Sequence, residues 1–162
     1  MREGARSDMA FALEKPLAPA TGYPKQAHVV EINHPLDIAV MFTSVEPTLW
    51  ALKQAGALAD RLNSRITLVV PQIVPYPLPL TRPPVLLDFN ERRFSVIASK
   101  CRVDTIVRIC LCRDRWNGLA TVLKPHSLVV IGGRKRWWPA AEARLARRLR
   151  RAGHEVITVE ME

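Results

Sequence analysis

The sequence predicts an α/β fold: one open, doubly wound, mainly parallel five-stranded sheet in the order 3-2-1-4-5, with helices on both faces. Three observations carry this. Short, continuous apolar runs recur at Asp37–Phe42, Arg65–Val70, Thr105–Leu111, Ser127–Ile131 and Glu155–Glu160. Unbroken runs of that length mark strands buried on both faces. The segments between them mostly place apolar residues at helical spacing, and strands that alternate with helices pair in parallel through right-handed crossovers. Finally, 162 residues with 48% hydrophobic and 24% charged composition make one domain of ordinary size with a real core.

The elements follow in order. Residues 1–27 mix small, charged and proline residues without a sustained period and read as a mobile tail. Residues 28–34 offer a short extended piece before Pro35. The division is therefore a flexible tail over 1–36 and an α/β domain over 37–162. After the first strand, Pro47 suits the first turn of a helix. Leu49, Leu52, Gly56, Ala59 and Leu62 follow at helical spacing, and Asn63 ends it. After the second strand, residues 71–87 hold six prolines and read as an extended surface loop. Residues 88–101 form a helix capped by Asp88, with Phe94, Ile97, Ala98 and Cys101 inward. Asp114 caps a third helix carrying Trp116, Leu119, Ala120 and Leu123, which Pro125 stops. Pro139–Ala152 is the last helix and Gly153 its C-terminal stop.

Composition excludes several classes. No uncharged apolar run approaches the roughly 20 residues a bilayer span needs. With 13 prolines and 7 glycines, neither collagen nor a coiled coil fits. The first 24 residues lack the apolar core of a signal peptide. Cys101, Cys110 and Cys112 cannot all pair, so a reducing cytoplasm is the expected location. The formal net charge is +9, and most of it is local. Residues 134–151 hold Arg134, Lys135, Arg136, Arg144, Arg147, Arg148, Arg150 and Arg151 against Glu142 alone. Such a field attracts anions: nucleic acid, phosphates, acidic lipid or an acidic protein face. The plainer reading is a solvated helix face.

Ligands of doubly wound sheets bind where the winding reverses. Here that crevice is lined by Thr43–Glu46 and Gly132–Trp138. The run Gly132-Gly133-Arg134-Lys135-Arg136-Trp137-Trp138 reads as an anion pocket with a tryptophan to stack on a base, or as tryptophans packing the domain beside solvated cations. On the last helix Arg144, Arg147, Arg148 and Arg151 share one side, with Ala141, Leu145, Leu149 and Ala152 opposite. Cys110 and Cys112 share one side of a strand and read as small hydrophobes. His28, His34, His126 and His154 lack ligand spacing, so no metal is expected. No nucleophile elbow or acid pair is present, and no catalytic residue is assigned.

The runs Ile38-Ala-Val-Met-Phe-Thr-Ser-Val-Glu-Pro and Ile66-Thr-Leu-Val-Val resemble the opening of universal stress proteins. Leu128-Val-Val-Ile-Gly-Gly-Arg, a helix, and Glu155-Val-Ile-Thr-Val resemble their close. The resemblance covers about 37–160 and implies an adenine-nucleotide-binding α/β fold, commonly a homodimer. ATP-binding members end the first strand with an aspartate that contacts the nucleotide; aligning on Glu46-Pro47 puts Thr43 there, beside Ser44. Counted from Gly132, the second and third glycines of the family's phosphate loop fall on Lys135 and Leu145. Counted from Gly133, they fall on Arg136 and Ala146. Backbone must approach phosphate closely at those glycines, so ATP binding in the family's usual way is not expected, and no cofactor is assigned.

Two functions follow. One is a non-enzymatic stress-protein-like regulatory or binding module. The other is an interaction subunit that docks through its basic helix and proline-rich loop on an acidic protein assembly or nucleic acid. A third, a nucleotide-dependent enzyme of the same fold, lacks the phosphate-anchoring glycines. A homodimer through the fifth strand is expected, because a short apolar edge tends to pair.

Overall fold

The computed structural model describes residues 11–14, 36–134 and 140–161. Its elements are β1 (Phe11–Glu14), β2 (Asp37–Met41), α1 (Val45–Leu62), β3 (Arg65–Ile73), α2 (Leu87–Ala98), β4 (Thr105–Cys112), α3 (Arg115–Val122), β5 (Leu128–Arg134), α4 (Ala140–Arg151) and β6 (Glu155–Met161). The sheet order is β1-β4-β3-β2-β5-β6. The five strands from β2 to β6 are parallel and stand in the expected order. The winding reverses between β2 and β5.

A sixth strand lies within the segment 1–36. Phe11–Glu14 pairs antiparallel with β4, Phe11 opposite Leu111 and Glu14 opposite Arg108. The pairing satisfies backbone groups that β4 would otherwise leave open at the sheet edge. The extended piece expected at 28–34 lies outside the described residues.

Alternation along each strand divides the core into two layers. On one face Ile38, Val40, Ile66, Leu68, Val70, Val107, Ile109 and Val130 meet Ala51, Leu52, Ala55 and Ala59 of α1 and Phe94, Ile97 and Ala98 of α2. On the other, Ala39, Met41, Val69, Cys110, Val129 and Ile131 meet Leu119 and Val122 of α3 and Leu145, Ala146 and Leu149 of α4. Helices on both faces exclude water from both sides, which is why these strands read as unbroken apolar runs.

Helix ends follow local chemistry. Asn63 closes α1 in the left-handed region at φ 49°. The Asp114 carboxylate accepts from Trp116 N–H and Asn117 N–H at the start of α3. Gly153, at φ 90°, follows α4. Other details differ from expectation. Helix α2 starts at Leu87, with Leu86 and not Asp88 at its cap, and it ends before Cys101. On α1, Leu52, Gly56 and Ala59 are buried as expected, joined by Ala51 and Ala55, but Leu62 is exposed. Ala141 and Ala152, expected inward on α4, are exposed, and Ala146 is buried instead. The proline-rich loop is shorter than 71–87, because Pro71 to Ile73 complete β3. A proline fits there for a geometric reason. The Val69 carbonyl accepts from Phe42 N–H at 2.9 Å, so Val69 faces β2. Pro71, two residues on, faces the same way past the end of β2, where no partner needs its missing N–H.

Candidate functional site

The described part of the switch-point crevice is bridged by the chain's own bonds. The Thr43 hydroxyl donates to the Gly132 carbonyl at 3.0 Å, joining the ends of β2 and β5. Thr43 N–H donates to the Thr48 hydroxyl at 3.2 Å, and Thr48 is wholly buried. Ser44 stands at the cap of α1 without a side-chain bond, and its carbonyl accepts from Thr48 N–H. A Cβ on Gly132 would run into the backbone carbonyl of Pro47 and lie 3.2 Å from the Ala51 Cβ. Glycine is therefore demanded at 132 by the first turn of α1 lying across it. Gly133 continues β5, opposite Glu160 in register. Arg134 pairs with Glu46 across the mouth, both exposed. Lys135, Arg136, Trp137 and Trp138 lie outside the described residues.

The arginine face stands as the spacing predicts. Arg144, Arg147, Arg148 and Arg151 are exposed, while Leu145, Ala146 and Leu149 are buried. Against this face lies a groove of about 960 Å³, shared with the start of α3. Arg115 and Trp116 line it. The Arg148 guanidinium sits 4.8 Å from the centre of the Trp116 ring, and Arg115 pairs with Glu142 at 3.2 Å. The sequence reading placed Trp116 on its third helix and gave it no part in a site; the ring is half-buried and packs partly against the core. Its place beside the arginines comes from α3 and α4 lying on the same face of the sheet, and no spacing within either helix signals it.

Cys110 and Cys112 are buried on the α3 side of β4. Their sulfurs donate to the Gly118 carbonyl at 3.2 Å and the Gln72 carbonyl at 3.8 Å. Contact with Cys110 and burial push the Cys112 thiol far above its ordinary range. Contact with Cys112, opposed by burial and helped by Arg108, lowers Cys110. Among the described residues no group of three His, Cys, Asp or Glu could hold a metal ion, and no helix is long and apolar enough to cross a membrane.

No family model matches the chain, and no curated protein matches it. Among solved structures, a universal stress protein in complex with cAMP aligns with a TM-score of 0.50 over 78% of this chain and 98% of that one, at 18% sequence identity. A likeness at that identity is one of fold. The chain thus carries a universal stress protein-like α/β domain, as its strand pattern implied.

Proposed function

We propose that the protein is a non-enzymatic universal stress protein-like binding or regulatory module that does not hold ATP in the family's usual way. The Thr43 hydroxyl bonded to the Gly132 carbonyl carries this reading. That bond engages a side chain at the end of β2, and Pro47 covers Gly132 where a phosphate would need open backbone. The nearest carboxylate at the mouth, Glu46, is spent on Arg134. The three free thiols suit a reducing compartment.

Calorimetric titration of the full chain with ATP, and with cAMP because the structural neighbour binds it, tests the reading. The expected result is no saturable heat at about 1 mM nucleotide, the weak end of specific affinity, and no phosphate release. Saturable micromolar ATP binding by the full chain would overturn it. The second reading, docking through the basic helix, is favoured by a separate observation: the α4 arginines line a groove that also holds an aromatic ring.

A further inference from the structure

We propose that the groove between the start of α3 and the outer face of α4 binds single-stranded nucleic acid, with the α4 arginines on phosphates and Trp116 stacked on a base. Four observations converge on this groove. Its lining brings five arginines together, Arg115, Arg144, Arg147, Arg148 and Arg151, against Asp114 and Glu142. Asp114 accepts the two N–H groups that begin α3, Glu142 Oε1 holds Arg115, and five guanidinium groups still outnumber the two carboxylates. The net field is therefore that of the guanidinium groups.

The second observation is that the face is dispensable for packing. Helix α4 is anchored by Leu145, Ala146 and Leu149, and Arg150, off this face, ties it to β6 through the Val156 carbonyl at 3.1 Å. Third, the groove is not purely ionic. Trp116 is half-buried, and Ile73, also in the lining, is 48% exposed. Fourth, Arg148 lies against the Trp116 ring, so a guanidinium and an aromatic surface are adjacent. Basic residues interleaved with an aromatic face distinguish single-stranded nucleic acid from other anions, because unpaired bases offer π-faces. An acidic peptide would use the arginines and leave Trp116 and Ile73 without a role. A duplex keeps its bases stacked on each other and would do the same. The proposal deepens the binding-module reading by naming a ligand class, but it uses none of the crevice residues.

The test is fluorescence anisotropy of a fluorescein-labelled oligouridylate of about 12 nucleotides, within the span such surfaces cover, with the full chain. Binding is expected to fall with salt at a log–log slope of about −3, since four arginines each neutralise a phosphate at ~0.7 per contact. The triple reversal R147E/R148E/R151E should weaken it about 100-fold or more, with the far-UV circular dichroism and melting temperature retained. Trp116→Leu should weaken it about 5- to 100-fold, the worth of one stacked base, without changing the salt slope. Trp116→Phe should restore most of it. If Trp116→Leu does not fold, the milder pair R147Q/R151Q must still lower the slope by about 1.4. The proposal fails if the oligouridylate does not bind. It also fails if poly-glutamate or duplex RNA competes as well at equal charge, or if Trp116→Leu folds and binds like the parent. The ATP titration is unaffected by these variants, so the two readings succeed or fail separately.

Discussion

Gly132 shows how one residue type serves two different demands. A glycine at the end of β5 looks like a phosphate-loop residue in the sequence, yet the structure fills the space beside it with the Pro47 carbonyl. Gly132→Ala must displace the backbone of α1, because no flexible side chain is there to yield. A loss of about 1–3 kcal/mol is expected from overpacking, measured by urea denaturation; an unchanged midpoint would mean that α1 does not rest there. Thr43→Val removes the hydroxyl that bridges β2 and β5 and leaves the Gly132 carbonyl without that donor. It should cost about 1 kcal/mol in the same assay. The cysteines differ in access. Cys101 is half-buried, whereas Cys110 and Cys112 are fully buried, and Cys112 is kept protonated by its neighbour and by burial. Since a reagent must reach the sulfur, and burial shields Cys110 even though its pKa is lowered, a disulfide reagent should modify Cys101 first and the other two only as the protein unfolds. Cys101→Ser should abolish the first phase.

The proline-rich segment is held by side chains at both ends, the Gln72 amide donating to the Val85 carbonyl at 3.2 Å and Arg113 gripping the start. Arg113, just past β4, donates to the Val74 carbonyl at 2.9 Å and the Leu78 carbonyl at 2.8 Å, and its guanidinium lies 4.1 Å from the centre of the Tyr76 ring. A planar fork suits two carbonyls and a ring at once, and a lysine ammonium does not. Arg113→Ala and Arg113→Lys should both make residues 74–86 faster targets of limited proteolysis, with the sheet intact. Cleavage no faster than in the parent would show that Arg113 is not what holds the segment. At the next element, the Asp114 cap was legible because a single side chain and two nearby N–H groups decide it locally. The start of α2 was not: Leu86 precedes it with no side-chain bond, so no residue type there announces the boundary. Pro71 misled for a related reason. A proline normally ends a strand, and only the neighbouring strand's length shows that its N–H is not missed.

At the scale of the molecule, the two sheet edges are treated differently. β1 covers the outer edge of β4, while β6 pairs only with β5 among the described residues and exposes Ile157 at 37%. An open edge with apolar positions tends to recruit another strand, and Glu155 and Glu160 are placed to oppose it. We expect β6 to pair with its mate in a homodimer; a monomeric mass by light scattering at micromolar concentration in low salt would count against it. Removing residues 1–14 should create a second open edge along β4. The shortened chain is expected to melt lower and to form larger, concentration-dependent species on size exclusion.

The sequence by itself determined the parallel core, its five-strand order and the outward arginines of α4. The core and the arginines follow from local periodicity, since strands buried on both faces are apolar throughout and a helix docked on a sheet keeps its charges on the far side; the order follows from the winding of alternating strands and helices. Tertiary structure alone decided three things. Phe11–Glu14 became a strand because β4 offered it an open edge, and four residues carry too little pattern to announce that. The described rim of the crevice is bridged because Thr43, Pro47 and Gly132 meet across β2, α1 and β5, although all three looked like nucleotide contacts or helix punctuation. Trp116 joined the arginines because α3 packs beside α4. Contacts between residues distant in the chain leave no period in either segment, so they are read only once the layers are assembled.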